Sequence, residues 1–176
     1  MSRLPPDPSS EPIKNSLPKR TIGNLGENLV ARWLEEQGWT ILHRQWHSRW
    51  GEIDLIAQAE KESHTPVLAF VEVKTRSQGN WDEDGLLAMT PTKQKKLIQT
   101  ARLFLAKYPL LAEQSCRFDV ALVLCHGAPR SPTKESQRDQ GKLPSPSEPI
   151  KIGQAVSIEG HQLILQDYIP WAFEPQ

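Results

Sequence analysis

A chain of 176 residues with 21 basic and 21 acidic side chains carries a formal net charge of +0. That length suffices for one ordinary hydrophobic core, and the balanced charge excludes a polybasic nucleic-acid coat or an acidic tail, so any nucleic-acid contact has to come from local clusters. No apolar run approaches the roughly 18 residues of a membrane span, and "MSRLPP" opens a polar, proline-rich stretch instead of a signal peptide, so a cytoplasmic protein without a membrane partner is expected.

Residues 1–19 are rich in Pro, Ser and Lys without apolar periodicity and read as a disordered tail. Residues 23–37 carry Leu25, Leu29, Val30, Trp33 and Leu34 at helical spacing, with Gly38 as the C-terminal cap. On this first helix Glu27 shares a stripe with Val30, Ala31 and Leu34, which turns its carboxylate toward the core side. Residues 39–46 predict a strand. "GEIDLIAQ" predicts a second, in which Ile53, Leu55 and Ala57 share the face opposite Glu52, Asp54 and Ile56.

A third strand, residues 67–75, contains "FVEVKTR" and is apolar and β-branched except where Glu72 and Lys74 interrupt it. Strand alternation puts Phe70, Glu72 and Lys74 on one face and Val71 and Val73 on the other. The link over residues 60–66 is short enough to make strands two and three a hairpin, which brings Asp54 near Glu72. Thr90-Pro91 supplies an N-cap and first helical position for a second helix, whose stripe is Leu97, Ala101, Phe104, Leu105 and Tyr108. "RFDVALVLC" is a fourth strand, and Cys116 and Cys125, at its two ends, read as reduced packing residues. Residues 127–154 repeat the composition of the tail and read as an inserted Pro/Ser-rich loop, after which residues 155–176 return to the core as a last strand with an anchored apolar end. The folded domain is therefore 20–126 together with 155–176, a layered α/β unit.

Three carboxylates, Glu27, Asp54 and Glu72, converge with Lys74 in this arrangement. Crowded, partly buried like charges need positive compensation, and a hard divalent cation is the usual one. Mg²⁺ is commonly held by one or two protein carboxylates plus substrate phosphate, so Asp54 and Glu72 suffice, with the backbone carbonyl of Val73 as a further ligand and Mn²⁺ as a substitute ion. Lys74 is placed to orient or help deprotonate an attacking water and to offset charge building on a phosphate. As a plain ion pair, Glu72 and Lys74 would be a poor stabiliser and would leave Asp54 and Glu27 unexplained. Glu52, next to Gly51 at a strand start, reads as an exposed turn residue outside the set. His43 and His47 lack a third ligand and read as surface residues near phosphate. Lys93, at the N-terminal end of the second helix, either reaches a phosphate or belongs to a solvated first turn. Arg76, after the motif strand, and Arg44 and Arg49, around the first hairpin, extend a backbone-binding surface. Trp81, in "SQGNWDEDG", either stacks on an unpaired base or packs.

The order of Glu27, "GEID" ending at Asp54, and "EVK" from Glu72 to Lys74 on the next strand resembles the metal site of the PD-(D/E)xK nuclease superfamily, which includes restriction enzymes and archaeal Holliday-junction resolvases. "GNLGENLVARWLEEQGWTILHRQW", "GEIDLIA", "FVEVKTR", the helix over residues 93–101 and "RFDV" together resemble the YraN-like family of bacterial nuclease-like proteins. The resemblance implies a restriction-endonuclease-like core, a central mixed sheet flanked by helices, with Asp54, Glu72 and Lys74 in the motif and Glu27 as the helix-one carboxylate. It also implies Mg²⁺-dependent hydrolysis of phosphodiester bonds, in DNA of branched or single-stranded character, and a homodimer as in related resolvases. Two other readings share this fold: a non-catalytic nucleic-acid-binding protein, and a partner-recruiting protein that uses the Pro/Ser-rich insert.

Overall fold

The computed structural model describes residues 19–60, 66–77, 89–126 and 149–175. The first helix, α1 (Lys19–Glu36), starts ahead of the expected residue 23 and buries Leu25, Leu29, Val30 and Leu34. Gly38 ends it at φ 83°, a left-handed conformation in which a Cβ would be strained. Its N–H donates to the Glu35 carbonyl and the Trp39 N–H donates to the Leu34 carbonyl, both at 3.0 Å. Those paired bonds satisfy the last carbonyls and turn the chain into the sheet.

Strands β1 (Thr40–Ser48), β2 (Gly51–Glu60) and β3 (Pro66–Ser77) follow, then helix α2 (Pro91–Lys107), a 3₁₀ turn (Pro109–Leu111), and strands β4 (Ser115–His126), β5 (Ala155–Ile158) and β6 (His161–Phe173). Among the described residues the sheet has six strands, in the order β1-β2-β3-β4-β6-β5. Among the described strands only β3 and β4 pair in parallel, and α2 makes the crossover between them. The expected β2–β3 hairpin is present as an antiparallel ladder from Glu60 paired with Pro66 to Leu55 paired with Val71.

Two apolar layers form, one on each face of the sheet. On one, α1 covers Leu55, Ala57, Ala69, Val71, Ala121, Val123, Leu163 and Leu165. On the other, Leu97, Ala101 and Phe104 of α2 cover Ile56, Leu68, Phe70, Phe118 and Val120. Because β3 lies between both helices, its side chains are buried from Val67 through Glu72, which is why it reads as an unbroken apolar run. The result is an α/β fold with a mixed sheet flanked by helices, compatible with a restriction-endonuclease-like core. Among the described residues no helix is long and apolar enough to cross a membrane.

Several local expectations change. The single last strand is a hairpin, because Glu159 (φ 49°) and Gly160 (φ 77°) form a two-residue turn of the left-handed kind that suits twisted antiparallel strands. Ile150, expected inside the inserted loop, is buried in the α1-side core, and its N–H donates to Glu36 Oε2 at 2.7 Å. Residues 127–148 of that loop, the N-terminal tail up to residue 18, and Trp81 lie outside the described residues. His43, expected at the surface, is half-buried. Its ring sits 5.3 Å from both Trp46 and Phe104 and 5.4 Å from Tyr108, since this position of β1 faces the aromatic end of α2. Cys116 and Cys125 are both free, and Cys125 packs in the α1-side core. Fully buried Asp119 ties β6 to β4: it accepts from Tyr168 Oη at 2.6 Å and from the Trp171 N–H at 3.0 Å, and pairs with Arg117 at 2.9 Å.

Candidate functional site

The β2–β3 ladder ends where the motif begins. Continuing its register would set Asp54 opposite Glu72 and Ile53 opposite Val73. Instead the Val73 N–H donates to Asp54 Oδ2 at 2.7 Å, so a side chain takes the place of the next ladder bond. On the other side of Asp54, Gln45 of β1 lies between the rungs Arg44–Leu55 and Trp46–Ile53 with φ 49°. A non-glycine residue held left-handed inside a strand is strained, and such kinks re-aim side chains. The expected alternation fails here: Ile53 packs with Ile56 in the α2-side core, while Leu55 and Ala57 pack under α1. The distortion brings Asp54 into a cavity of about 310 Å³ that it shares with Gly23, Asn24, Glu27, Gln45, His47 and Glu52.

Glu72 is 4% exposed. Its Oε1 pairs with Lys74 Nζ on the same strand and with Lys93 Nζ, 3.0 Å away, from the first turn of α2. Its Oε2 is buried and, among the described residues, has no hydrogen-bond partner. Lys93 is therefore not a solvated first-turn residue. Thr90 fixes that turn, its Oγ1 accepting from the Lys93 N–H at 3.3 Å, and so directs the lysine to Glu72.

Glu27 comes from α1 and accepts a hydrogen bond at 3.1 Å from Gln45 Nε2, which also donates to Asn24 Oδ1 at 3.2 Å. Gly26 makes this possible, because a Cβ there would overlap Thr75 Oγ1 on β3. The helix backbone thus lies directly against the motif strand. Burial raises the Glu27 pKa above its ordinary value, the Gln45 hydrogen bond opposes that, and the Glu52 charge adds to it. Asp54 is pushed up to about 7, first by burial and then by the Glu72 charge, against the pull of the Val73 N–H. Glu27, Asp54 and Glu72 therefore share one electrostatic neighbourhood. They do not close into a cage: among the described residues no three His, Cys, Asp or Glu side chains are grouped so as to hold a metal ion.

The other expected residues are distributed around this centre. Arg44 is exposed and donates to Asn28 Oδ1 at 2.8 Å, lining with Asn24, Glu27, Asn28 and Gln45 a second cavity of about 230 Å³. Arg49 occupies the β1–β2 turn with its guanidinium 5.2 Å from the Trp50 ring centre. Arg76 is exposed on β3 beyond Lys74. Glu52, exposed as expected, pairs with His47 at 3.2 Å on the rim. Sequence reasoning missed Gln45 and Gly26. A glycine within a helical stripe is a signal of close backbone approach; nothing in the local pattern marks Gln45.

Gly26→Ala tests that approach. Overpacking against a stiff β-branched Thr75 costs up to about 3 kcal/mol, and the better helix propensity of alanine returns about 1. A net loss of about 1–2 kcal/mol in denaturant unfolding is expected; an unchanged or raised midpoint would show that α1 is free to move off β3.

A family model described as Uncharacterised protein family UPF0102 matches residues 26–123, which include Glu27, Asp54, Glu72, Lys74 and Lys93. The chain is similar to a UPF0102 protein of Trichodesmium erythraeum, 48% identical over 166 residues, covering 88% of this chain and 89% of that protein. It is likewise similar to those of Acaryochloris marina, at 49% identity with 86% and 89% covered, and of Nostoc sp., at 48% with 87% and 94% covered.

Proposed function

This chain belongs to the UPF0102, or YraN-like, family, and from that premise we propose that it is a cytoplasmic, metal-dependent endonuclease-like protein that hydrolyses phosphodiester bonds in DNA of branched or single-stranded character. The observation that carries this reading is the Glu72 carboxylate, with one oxygen held by Lys74 and Lys93, the other buried and, among the described residues, unpartnered, and its charge acting on Asp54. A buried carboxylate oxygen without a donor is costly, and an Asp whose charge is opposed by burial and by a neighbouring Glu is short of a cation. Both features fit a divalent ion, and two carboxylates are an ordinary protein share for Mg²⁺ or Mn²⁺. Asp54, Glu72 Oε2 and the Val73 carbonyl would hold it, and when bound it would supply Lewis-acid polarisation of the phosphoryl oxygen.

The chain's own residues supply the rest. Lys74, anchored on Glu72 Oε1, orients the attacking water and donates to the charge that develops on the phosphate, and Lys93 places a second ammonium on the same side. Glu27, kept in place by Gln45, presents a carboxylate whose raised pKa suits proton transfer. Arg44, Arg49 and Arg76 hold the flanking phosphates. The ion pairs already made by Glu72 Oε1 and the open grouping of the carboxylates favour a second reading, a nucleic-acid-binding protein that has the fold without the catalysis.

A cleavage panel separates the two: duplex, single-stranded, flapped and four-way DNA, and RNA, each with Mg²⁺ and with Mn²⁺. The enzyme gives cuts in at least one DNA that disappear in chelator. Binding without cuts at any metal concentration leaves only the second reading.

A further inference from the structure

We infer that the tip of the β1–β2 hairpin is a stacking platform for an unpaired nucleic-acid base, with Trp50 as its surface and Arg49 as its flanking cation; this rests on the nucleic-acid reading above and assigns the part of the site that selects unpaired strands. Trp50 is 41% exposed. A lone exposed apolar side chain is ordinary, but three features distinguish this one.

The backbone under the ring is fixed. The Trp50 N–H donates to Ser48 Oγ at 3.0 Å, and the same hydroxyl shares a 2.9 Å hydrogen bond with Thr100, a buried residue of α2. Ordering the turn is thus largely complete before a ligand arrives, which lowers the entropic cost of binding. Arg49 then sets a guanidinium 5.2 Å from the ring centre. A cation over one face of an aromatic ring matches the two chemistries of a nucleotide, the guanidinium its phosphate and the opposite face of the ring its base. The third feature is position. The second rung from the turn pairs His47 with Glu52, and both line the cavity that holds Asp54 and Glu27. A strand with one base on Trp50 therefore passes the carboxylates within a few residues of β2.

Net charge decides how much this contact matters. At a formal +0 the chain lacks the long-range attraction that supplies most non-specific affinity of basic proteins, so stacking has to carry a large share of single-strand binding. An intact duplex keeps its bases stacked on one another and offers Trp50 only backbone.

The test is fluorescence anisotropy in chelator, with the full chain, labelled oligothymidylate of about 20 nucleotides, the same strand annealed to its complement, and oligouridylate as the RNA arm. Trp50→Ala is expected to weaken single-strand binding by roughly 5- to 100-fold with little change for the duplex, and Trp50→Phe to retain most of the affinity. Single-strand affinity of Trp50→Ala within about twofold of wild type overturns the inference, as does an equal loss on duplex and single strand, or a wild type that binds no single strand. Metal-dependent cuts by wild type alongside a silent Trp50→Ala would sink the platform and leave the nuclease reading standing. Ring-dependent binding without cuts would do the reverse.

Discussion

Lys74→Ala is expected to reduce metal-dependent cleavage by about 100- to 1000-fold while changing the fold little. The separation of the two effects follows from the double pairing of Glu72. Removing one partner of a buried ion pair ordinarily costs about 3 to 5 kcal/mol, because the remaining charge is stranded. Here Lys93 Nζ stays 3.0 Å from Glu72 Oε1 after Lys74 is truncated, so the carboxylate keeps a cation and the folding loss is expected to be well below that range. Cleavage rate and urea midpoint measured on the same preparations give both halves. Cuts that survive Lys74→Ala at the wild-type rate would mean a different site or a contaminating nuclease, and a large drop in midpoint would make Lys74 chiefly structural.

Asp54→Asn is expected to raise the stability of the metal-free protein, by on the order of 2–4 kcal/mol near pH 8. The Asp54 pKa is raised from 3.8 to about 7 in the folded protein. A carboxylate raised in this way binds its proton more tightly folded than unfolded, so its protonated form contributes stability below the unfolded value. That contribution is lost as pH rises toward about 7, and it is flat above that. Wild type should therefore lose stability between about pH 4 and pH 7, and Asp54→Asn should flatten that slope. The amide oxygen of asparagine still accepts from the Val73 N–H, so the local hydrogen bond survives.

Metal gives the complementary half of the same experiment. With free Mg²⁺ at ~10 times its dissociation constant, mass action stabilises wild type by about 1.4 kcal/mol, on the order of 3 to 6 °C in midpoint for a domain of this size. Asp54→Asn should lose most of that shift. A variant strongly destabilised without metal, or one that keeps the full Mg²⁺ shift, would remove Asp54 from the ligand set.

What the sequence by itself determined is local. The 3.6-residue stripe of α1, the Gly38 stop, the Thr90-Pro91 start of α2 and the apolar run of β3 each depend on neighbours within a turn or a strand, and each is found where its pattern put it. Glu72 and Lys74 were legible for the same reason, since a charged pair in a strand buried on both faces contradicts its surroundings. Tertiary structure alone decided which distant groups meet them. Lys93 pairs with Glu72 because the crossover lays the first turn of α2 on the motif strand, and Gln45 meets Glu27 because β1 is kinked against α1. Ile53 changes face and Asp54 captures the Val73 N–H because the β2–β3 ladder ends at Leu55 and Val71, a consequence of pairing across strands that no single strand encodes. Ile150 and His43 follow the same principle, since each packs against an apolar surface contributed in part by residues remote in the chain.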